Sequence, residues 1–257
     1  MTRLTRIGPA AGLLTAVLLL VSALACAAPP QAIYARALAT AGRSAADRER
    51  DARDRPAELY AFAGIAPGMR IADIFGGGGY HSELLGYVVG PTGHVLLVND
   101  PAYAVYAAKD LAARFDGGRL PAIERRVAPN ADLGLGRATL DGALMVMSYH
   151  DLYYADGDDF PRIDAQGFLE QIRAAVRPGG FFLVVDHAAA GGTGSAAAQK
   201  LHRIDEQYAI HDIEAHGFRL QRRWDGLRSA ADDHSLPVFD PAIRGHTDRF
   251  VHLYRRS

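Results

Sequence analysis

Between Arg70 and Asp100 the chain runs RIADIFGGGGYHSELLGYVVGPTGHVLLVND, and no other stretch restricts the possible folds so much. Ile71-Ala72-Asp73-Ile74-Phe75 suits a strand buried on both faces, and the glycines Gly76 to Gly79 that follow let the backbone turn sharply and approach a ligand where a Cβ would collide. A helix starting near Tyr80 directs free N–H groups and the positive end of its dipole at that ligand. About twenty residues past the glycines, a second apolar run from His94 to Val98 ends in Asn99-Asp100, where such folds place the side chain that binds ribose hydroxyls. Strand, glycine turn, helix and strand in this spacing form the front half of a nucleotide-binding α/β domain.

The alternation continues down the chain. An Ala-rich helix is predicted from Ala102 to Phe115, then strands at Ile123 to Val127 and Gly142 to Met147. A helix from Gln166 to Val176 stops at the turn Arg177-Pro178-Gly179-Gly180 before a strand from Phe181 to Val185. The glycine-rich loop Gly191 to Gly194 precedes a helix reaching His216, and Phe218 to Trp224 and Phe250 to Tyr254 read as two late strands. The expected fold is therefore α/β, a Rossmann-like, doubly wound, mostly parallel seven-stranded sheet with helices on both faces. Residues 29–69 read as an N-terminal helical extension to a domain at 70–257. Within it ADRERDARDR is expected to be a solvated helix with i, i+4 ion pairs, and Pro56 opens the next helix at its first position.

The N-terminus carries Arg3 and Arg6, an apolar core from Leu13 to Val21, and small residues from Ser22 to Ala28 before Pro29-Pro30. This is the pattern of a secretory signal over residues 1–28, so export to the periplasm is expected; an uncleaved anchor spanning Ile7 to Ile33 is the alternative. Cys26, the sole cysteine, follows Ala23-Leu24-Ala25, which is close to a lipoprotein cleavage site. Acylation at Cys26, tethering the protein to the membrane, and plain cleavage after Ala25 or Ala27 both remain open. Either way the mature domain of about 230 residues has no thiol for a disulfide or a nucleophile, and fits one domain. With 28 Lys and Arg against 29 Asp and Glu and no basic stripe, nothing marks a nucleic-acid partner.

In open α/β sheets ligands sit beyond the carboxyl ends of the strands. The fourth strand delivers Ser148-Tyr149-His150-Asp151 to that edge and the fifth delivers Asp186-His187. His150 is a candidate general base for a hydroxyl, amine or carboxylate, with Asp151 or Asp186 orienting it, and His187 is a second candidate. A metal is not assigned. Adjacent strand residues point to opposite faces, so at most two of His150, Asp151, Asp186 and His187 are expected to converge. His202 shares a helix face with Asp205 or Glu206, as a pocket cap or a solvated face. Arg244 and Arg249 either clamp an anion or pair with Asp240 or Asp248.

Asp73-Ile74-Phe75-Gly76-Gly77-Gly78-Gly79 resembles the first motif of the class I S-adenosylmethionine-dependent methyltransferases: acid, apolar, then three alternating glycines. Phe75 stands at the first glycine, Asn99 at the ribose-binding acid, and Pro129 roughly where an acid contacts adenine. The segments RDARDRPAELYAFAGIAPGM, IFGGGGYHSELL, MSYHDLYY, LHRIDE and DPAIRGHTDRF are similar to exported bacterial "predicted methyltransferases". The resemblance implies a last strand inserted antiparallel and S-adenosylmethionine as cofactor. It implies further that Asp73, Gly76, Gly77, Gly79 and Tyr80 form the cofactor loop and that Asn99 or Asp100 holds the ribose. The implied activity is methyl transfer to a small-molecule acceptor. S-adenosylmethionine is made in the cytosol, so an exported enzyme needs an imported supply or another ligand. A periplasmic binding or accessory protein that has lost methyl transfer is the alternative, favoured by Phe75, Asn99 and Pro129. A hydrolase or isomerase using His150 and Asp151 is a third.

Overall fold

The computed structural model describes residues 31–120 and 123–257; the expected signal, with Cys26, lies outside the described residues. Three helices come first, α1 (Gln31–Ala39), α2 (Ala45–Asp54) and α3 (Pro56–Ala63). Then follow β1 (Arg70–Ile74), α4 (Tyr80–Val89), β2 (His94–Asn99), α5 (Pro101–Tyr106), α6 (Ala108–Phe115), β3 (Ile123–Val127) and β4 (Leu140–Val146). After a 3₁₀ turn at His150–Tyr153 come α7 (Ala165–Ala175), β5 (Val176–His187), α8 (Ala198–Leu201), α9 (Glu206–Ala215), β6 (Phe218–Arg223) and β7 (Arg249–Arg256). The strands form one sheet in the order β3-β2-β1-β4-β5-β7-β6, parallel except that β7 runs antiparallel between β5 and β6. The strand order reverses between β1 and β4, and such a switch point opens a crevice at the carboxyl edge.

The period-2 pattern of the strands explains the layers. Ala72, Ile74, Leu96, Val98, Met145 and Val184 face one core, with Phe168 and Ile172 of α7 and Ile213 of α9. The alternate residues Ile71, Val95, Leu144, Leu183 and Leu253 face a second core, with Tyr34 of α1, Leu59 and Tyr60 of α3, and Leu84 and Val88 of α4. Helices cover both faces.

Three local expectations change. The helix from Ala102 breaks at Ala107 into α5 and α6. Strand β5 starts five residues early: its register to β4 jumps from Leu140↔Val176 to Gly142↔Phe181, so the turn Arg177 to Gly180 is a bulge inside the strand. The late helix is split, because His202 takes a left-handed φ of 51° and Arg203 is drawn inward, fully buried, onto Asp232 at 2.8 and 2.9 Å.

Candidate functional site at the carboxyl edge

Strand β1 ends at Ile74, and the chain turns at once: Phe75 has φ 53°, Gly77 55° and Gly79 81°. The four glycines are not equivalent. A Cβ at Gly76 would lie 2.4 Å from Leu97 and 2.6 Å from Asp73, one at Gly78 2.6 Å from Asp110, and one at Gly79 2.7 Å from Phe115, whereas at Gly77 nothing lies within 4 Å. The turn is thus packed on three sides and open at Gly77. Asp73 is buried beneath it and accepts the Ser82 hydroxyl at 2.6 Å; burial pushes its carboxyl up to about 6 against the pull of Ser82. The pair joins the end of β1 to the first turn of α4.

The residues expected to hold ribose are engaged with the protein. Asn99 accepts from the Gly77 N–H at 3.0 Å and donates to the Gly77 carbonyl at 2.9 Å. Asp100 caps α5 through the Tyr103 N–H at 2.7 Å and accepts from Asn130 at 2.8 Å. Phe75 stacks on Tyr103, centroids 4.6 Å apart and rings 9° from parallel. The Tyr103 hydroxyl donates to Asp151. A ring that follows β2, rests on the residue just after β1 and bonds to the turn after β4 spans the switch point.

Helix α2 covers the same edge. It was expected to be solvated, yet Asp47 and Asp54 are buried. Asp54 pairs with Arg50 at 2.5 Å and with Arg249, the first residue of β7, at 2.8 Å; burial alone would raise its carboxyl, but the two guanidiniums hold it at about 2. Arg249 is therefore neither an anion clamp nor the partner of Asp248. Tyr80 donates its hydroxyl to Asp51 at 2.7 Å, and Arg50 lies 4.0 Å over its ring. Arg114 joins Asp47 at 2.7 Å and also bonds Glu83. The periodicity of ADRERDARDR is that of a charged helix, and only the partners, brought in from α4, α6 and β7, decide that its charges are buried. Beneath α2, against Gly76, Gly78 and Tyr80, lies a cavity of about 320 Å³ whose walls carry Arg50, Arg114 and Asp110.

Beyond β4 the chain passes Met147, φ 58°, into the 3₁₀ turn that begins at His150. His150 Nδ1 is 2.8 Å from Asp186 Oδ1, its N–H donates to Asp186 Oδ2 at 2.7 Å, and its Nε2 is 3.2 Å from Asp151. Burial would lower this imidazole, but Asp151 and Asp186 outweigh it and push it up to about 10, so His150 stands as an imidazolium at neutral pH. The limit of two converging residues fails here, because the strand has already ended and a 3₁₀ turn does not alternate its side chains. His202 adds an imidazole 3.8 Å from Asp151. His187 is separate: its Nδ1 meets Thr247 at 2.8 Å, and burial, with the charges of His150, Arg249 and Arg203, keeps it well below the usual range and neutral.

Sequence reasoning missed His81. It bonds Tyr60 through Nδ1 at 2.8 Å, its Nε2 is buried without a partner among the described residues, and burial drives it down to about 3.

No protein-family model matches the chain, and no curated protein matches it. Solved structures do. A S-adenosylmethionine-dependent methyltransferase from Aquifex aeolicus superposes with TM-score 0.56 at 16% identity, over 79% of this chain and 89% of that one. A putative sarcosine dimethylglycine methyltransferase from Galdieria sulphuraria gives 0.57 at 13%, over 82% and 88%. The chain has the methyltransferase fold. The [4+2]-cyclase SpnF shares it, at TM-score 0.55 and 14% identity, over 84% of this chain and 85% of that one.

Three features of the methyltransferase-fold edge fit a nucleotide-like cofactor: the open position at Gly77, and the buried Ser148 Oγ and Asn130 Oδ1, which find no hydrogen-bond partner among the described residues. The Tyr103 ring lies across the same edge.

Proposed function

We propose that this protein is a S-adenosylmethionine-dependent methyltransferase of a small acceptor, exported from the cytosol. The observation that carries the reading is Gly77: in a turn where a Cβ on Gly76, Gly78 or Gly79 would clash, one on Gly77 meets nothing within 4 Å, at the carboxyl edge where this fold binds ligands. The likeness to S-adenosylmethionine-dependent enzymes supports the cofactor. The bound sulfonium would supply an electrophilic methyl group and leave as a thioether. Walls of both signs, Arg50 and Arg114 with Asp110, suit the zwitterionic amino-acid end of that cofactor. The chain's own contribution is to bind and align the two reactants, with α2 and Tyr103 limiting water at the edge. His150 holds its proton between two carboxylates, so it fixes charge at the edge and acts as a base only once that proton is lost.

Two observations favour a second reading, a binding or accessory protein that keeps the fold without methyl transfer. The amide of Asn99 is already spent on Gly77, and Tyr103 covers the switch point. The [4+2]-cyclase SpnF has this fold and is named for another reaction.

Calorimetry with S-adenosylmethionine and S-adenosylhomocysteine tests the proposal. Wild type is expected to bind both, and Gly77→Val to lose them through a β-branched side chain at the open position. Failure of folded wild type to bind either at millimolar concentration would transfer the conclusion to the second reading. Export is tested by fusing residues 1–30 to a periplasm-dependent reporter, with activity expected; Cys26→Ser releases the product from membranes if the acylated form is the mature one.

A further inference from the structure

We propose that His150, Asp151 and His202 form a binding site for a divalent transition-metal ion. The site stands independently of what the glycine turn binds.

The fold brings these residues together from two places. His150 and Asp151 open the 3₁₀ turn after β4, and His202 terminates α8 fifty-one residues after Asp151. Gln199 of α8 locks the two segments: it donates to the Ala155 carbonyl at 2.8 Å and accepts from the Ala155 N–H at 3.3 Å. One donor atom from each of the three side chains then lies within 4.8 Å of the other two. The separations between His150 Nε2 and Asp151 Oδ1, 3.2 Å, and between His202 Nδ1 and Asp151 Oδ1, 3.8 Å, bracket the spacing of ligands around one ion. Two atoms each ~2.1 Å from a metal and about 109° apart lie roughly 3.4 Å from each other.

The outer contacts are those of a metal centre. The Asp186 carboxylate, fully buried, holds His150 by Nδ1 and by its backbone N–H, which leaves Nε2 aimed at Asp151. A ligating histidine is commonly oriented in this way by a carboxylate on its other nitrogen. Tyr103 bonds the other oxygen of Asp151, Oδ2, and so leaves Oδ1 as the ligand. Among the described residues, the side chains touching Asp151 are two imidazoles and a phenol, and those touching Asp186 reduce to His150, so no Lys or Arg touches either carboxylate and their counter-charge is the His150 proton, which an ion bound at Nε2 would replace. A divalent cation would neutralise them. His202 and Asp151 remain partly exposed, at 20% and 17% of their side chains, which leaves the ion open on one side. Tyr154 and Phe239 flank His202 with ring centroids at 4.6 and 4.9 Å.

Two imidazoles and one carboxylate suit zinc, iron, manganese, cobalt or nickel, and exclude a preference for magnesium or calcium, which take oxygen ligands. With three protein ligands the ion keeps positions for water or for an oxygen or nitrogen atom of a small molecule, whose charge it would polarise.

The test is titration of the metal-free full chain with Co²⁺, read by calorimetry and by the visible d–d absorption of the bound ion. One Co²⁺ per chain at micromolar or tighter affinity is expected. His202→Ala and Asp151→Asn should each weaken it at least ~100-fold, and Asp186→Asn, which removes the carboxylate behind His150, about 10–100-fold. Because His202 is partly exposed, its variant should fold, and thermal melting confirms that. Absence of Co²⁺ uptake by folded wild type, or wild-type affinity in a folded His202→Ala protein, would overturn the site. Loss of metal binding with S-adenosylmethionine binding retained, or the reverse, separates this site from the cofactor reading.

Discussion

The side-chain amide of Asn99 is locked to the main chain of Gly77 from both ends, Oδ1 accepting its N–H at 3.0 Å and Nδ2 donating to its carbonyl at 2.9 Å. Only an amide does both. An acid, which the motif leads one to expect here, accepts but cannot donate when ionised. Asn99→Asp should therefore leave the Gly77 carbonyl unpaired and cost about 1–3 kcal/mol, lowering the melting temperature by several degrees. A thermal melt at neutral pH decides; an unchanged melting temperature would show that the double bond does not brace the turn.

Gly77 and Gly79 should separate ligand binding from stability. Both have positive φ, so alanine at either is strained, but only at Gly79 does the new Cβ meet Phe115, at 2.7 Å. Gly79→Ala is expected to destabilise by more than ~2 kcal/mol. Gly77→Ala should cost about 1 kcal/mol, with a larger effect on affinity for S-adenosylhomocysteine. Parallel melts and calorimetry on the two variants show whether the order holds.

Much of the fold was readable because short apolar runs bounded by turns leave few alternatives: all seven strands overlap the runs where they were expected, β5 starting five residues earlier, and β7 is antiparallel as the resemblance implied. The site was readable only where chain neighbours make it, as at Gly76 to Gly79. Asp54 finds Arg249 across 195 residues, and His202 reaches Asp151 because the helix containing it breaks. No local pattern encodes such meetings. A charged helix reads alike whether water or a distant guanidinium faces it.

Tyr103 closes the crevice, and its hydroxyl is the donor, since burial and Asp151 keep the phenol well above its ordinary range. Removing the ring in Tyr103→Ala gives up an aromatic pair of about 0.5–1.5 kcal/mol that a ligand must otherwise displace, so affinity for S-adenosylhomocysteine should rise ~2–10-fold. A fall in affinity would mean that the ring is part of the ligand's contact surface.

Acid should weaken the protein through His81. Its folded value of about 3 lies below the ordinary 6.5, so between those limits the unfolded chain takes up a proton that the folded one refuses, and stability falls as pH falls. Asp73, raised to about 6 from 3.8, acts oppositely within 6 to 3.8, because there the folded chain takes up the proton first. His81→Gln removes the first effect and keeps the second. Of these two effects wild type shows only the small remainder between pH 6 and 4, whereas the variant keeps the Asp73 term alone and should gain, relative to wild type, up to about 1.4 kcal/mol for each pH unit lowered. Denaturant titrations across that range measure the difference, and equal slopes would discard His81 as the cause.

The pairing of Asp54 with Arg249 also fixes the order in which the molecule can be finished. Helix α2 emerges early in synthesis, but the guanidinium it needs belongs to the last strand, and long-range closures of this kind are slow. Until β7 slots between β5 and β6, Asp54 has no distant counter-charge and α2 is held over the glycines only through Tyr80 on Asp51 and Arg114 on Asp47. The cover over the glycine turn is thus begun by neighbours close to it in the chain and finished by the last strand.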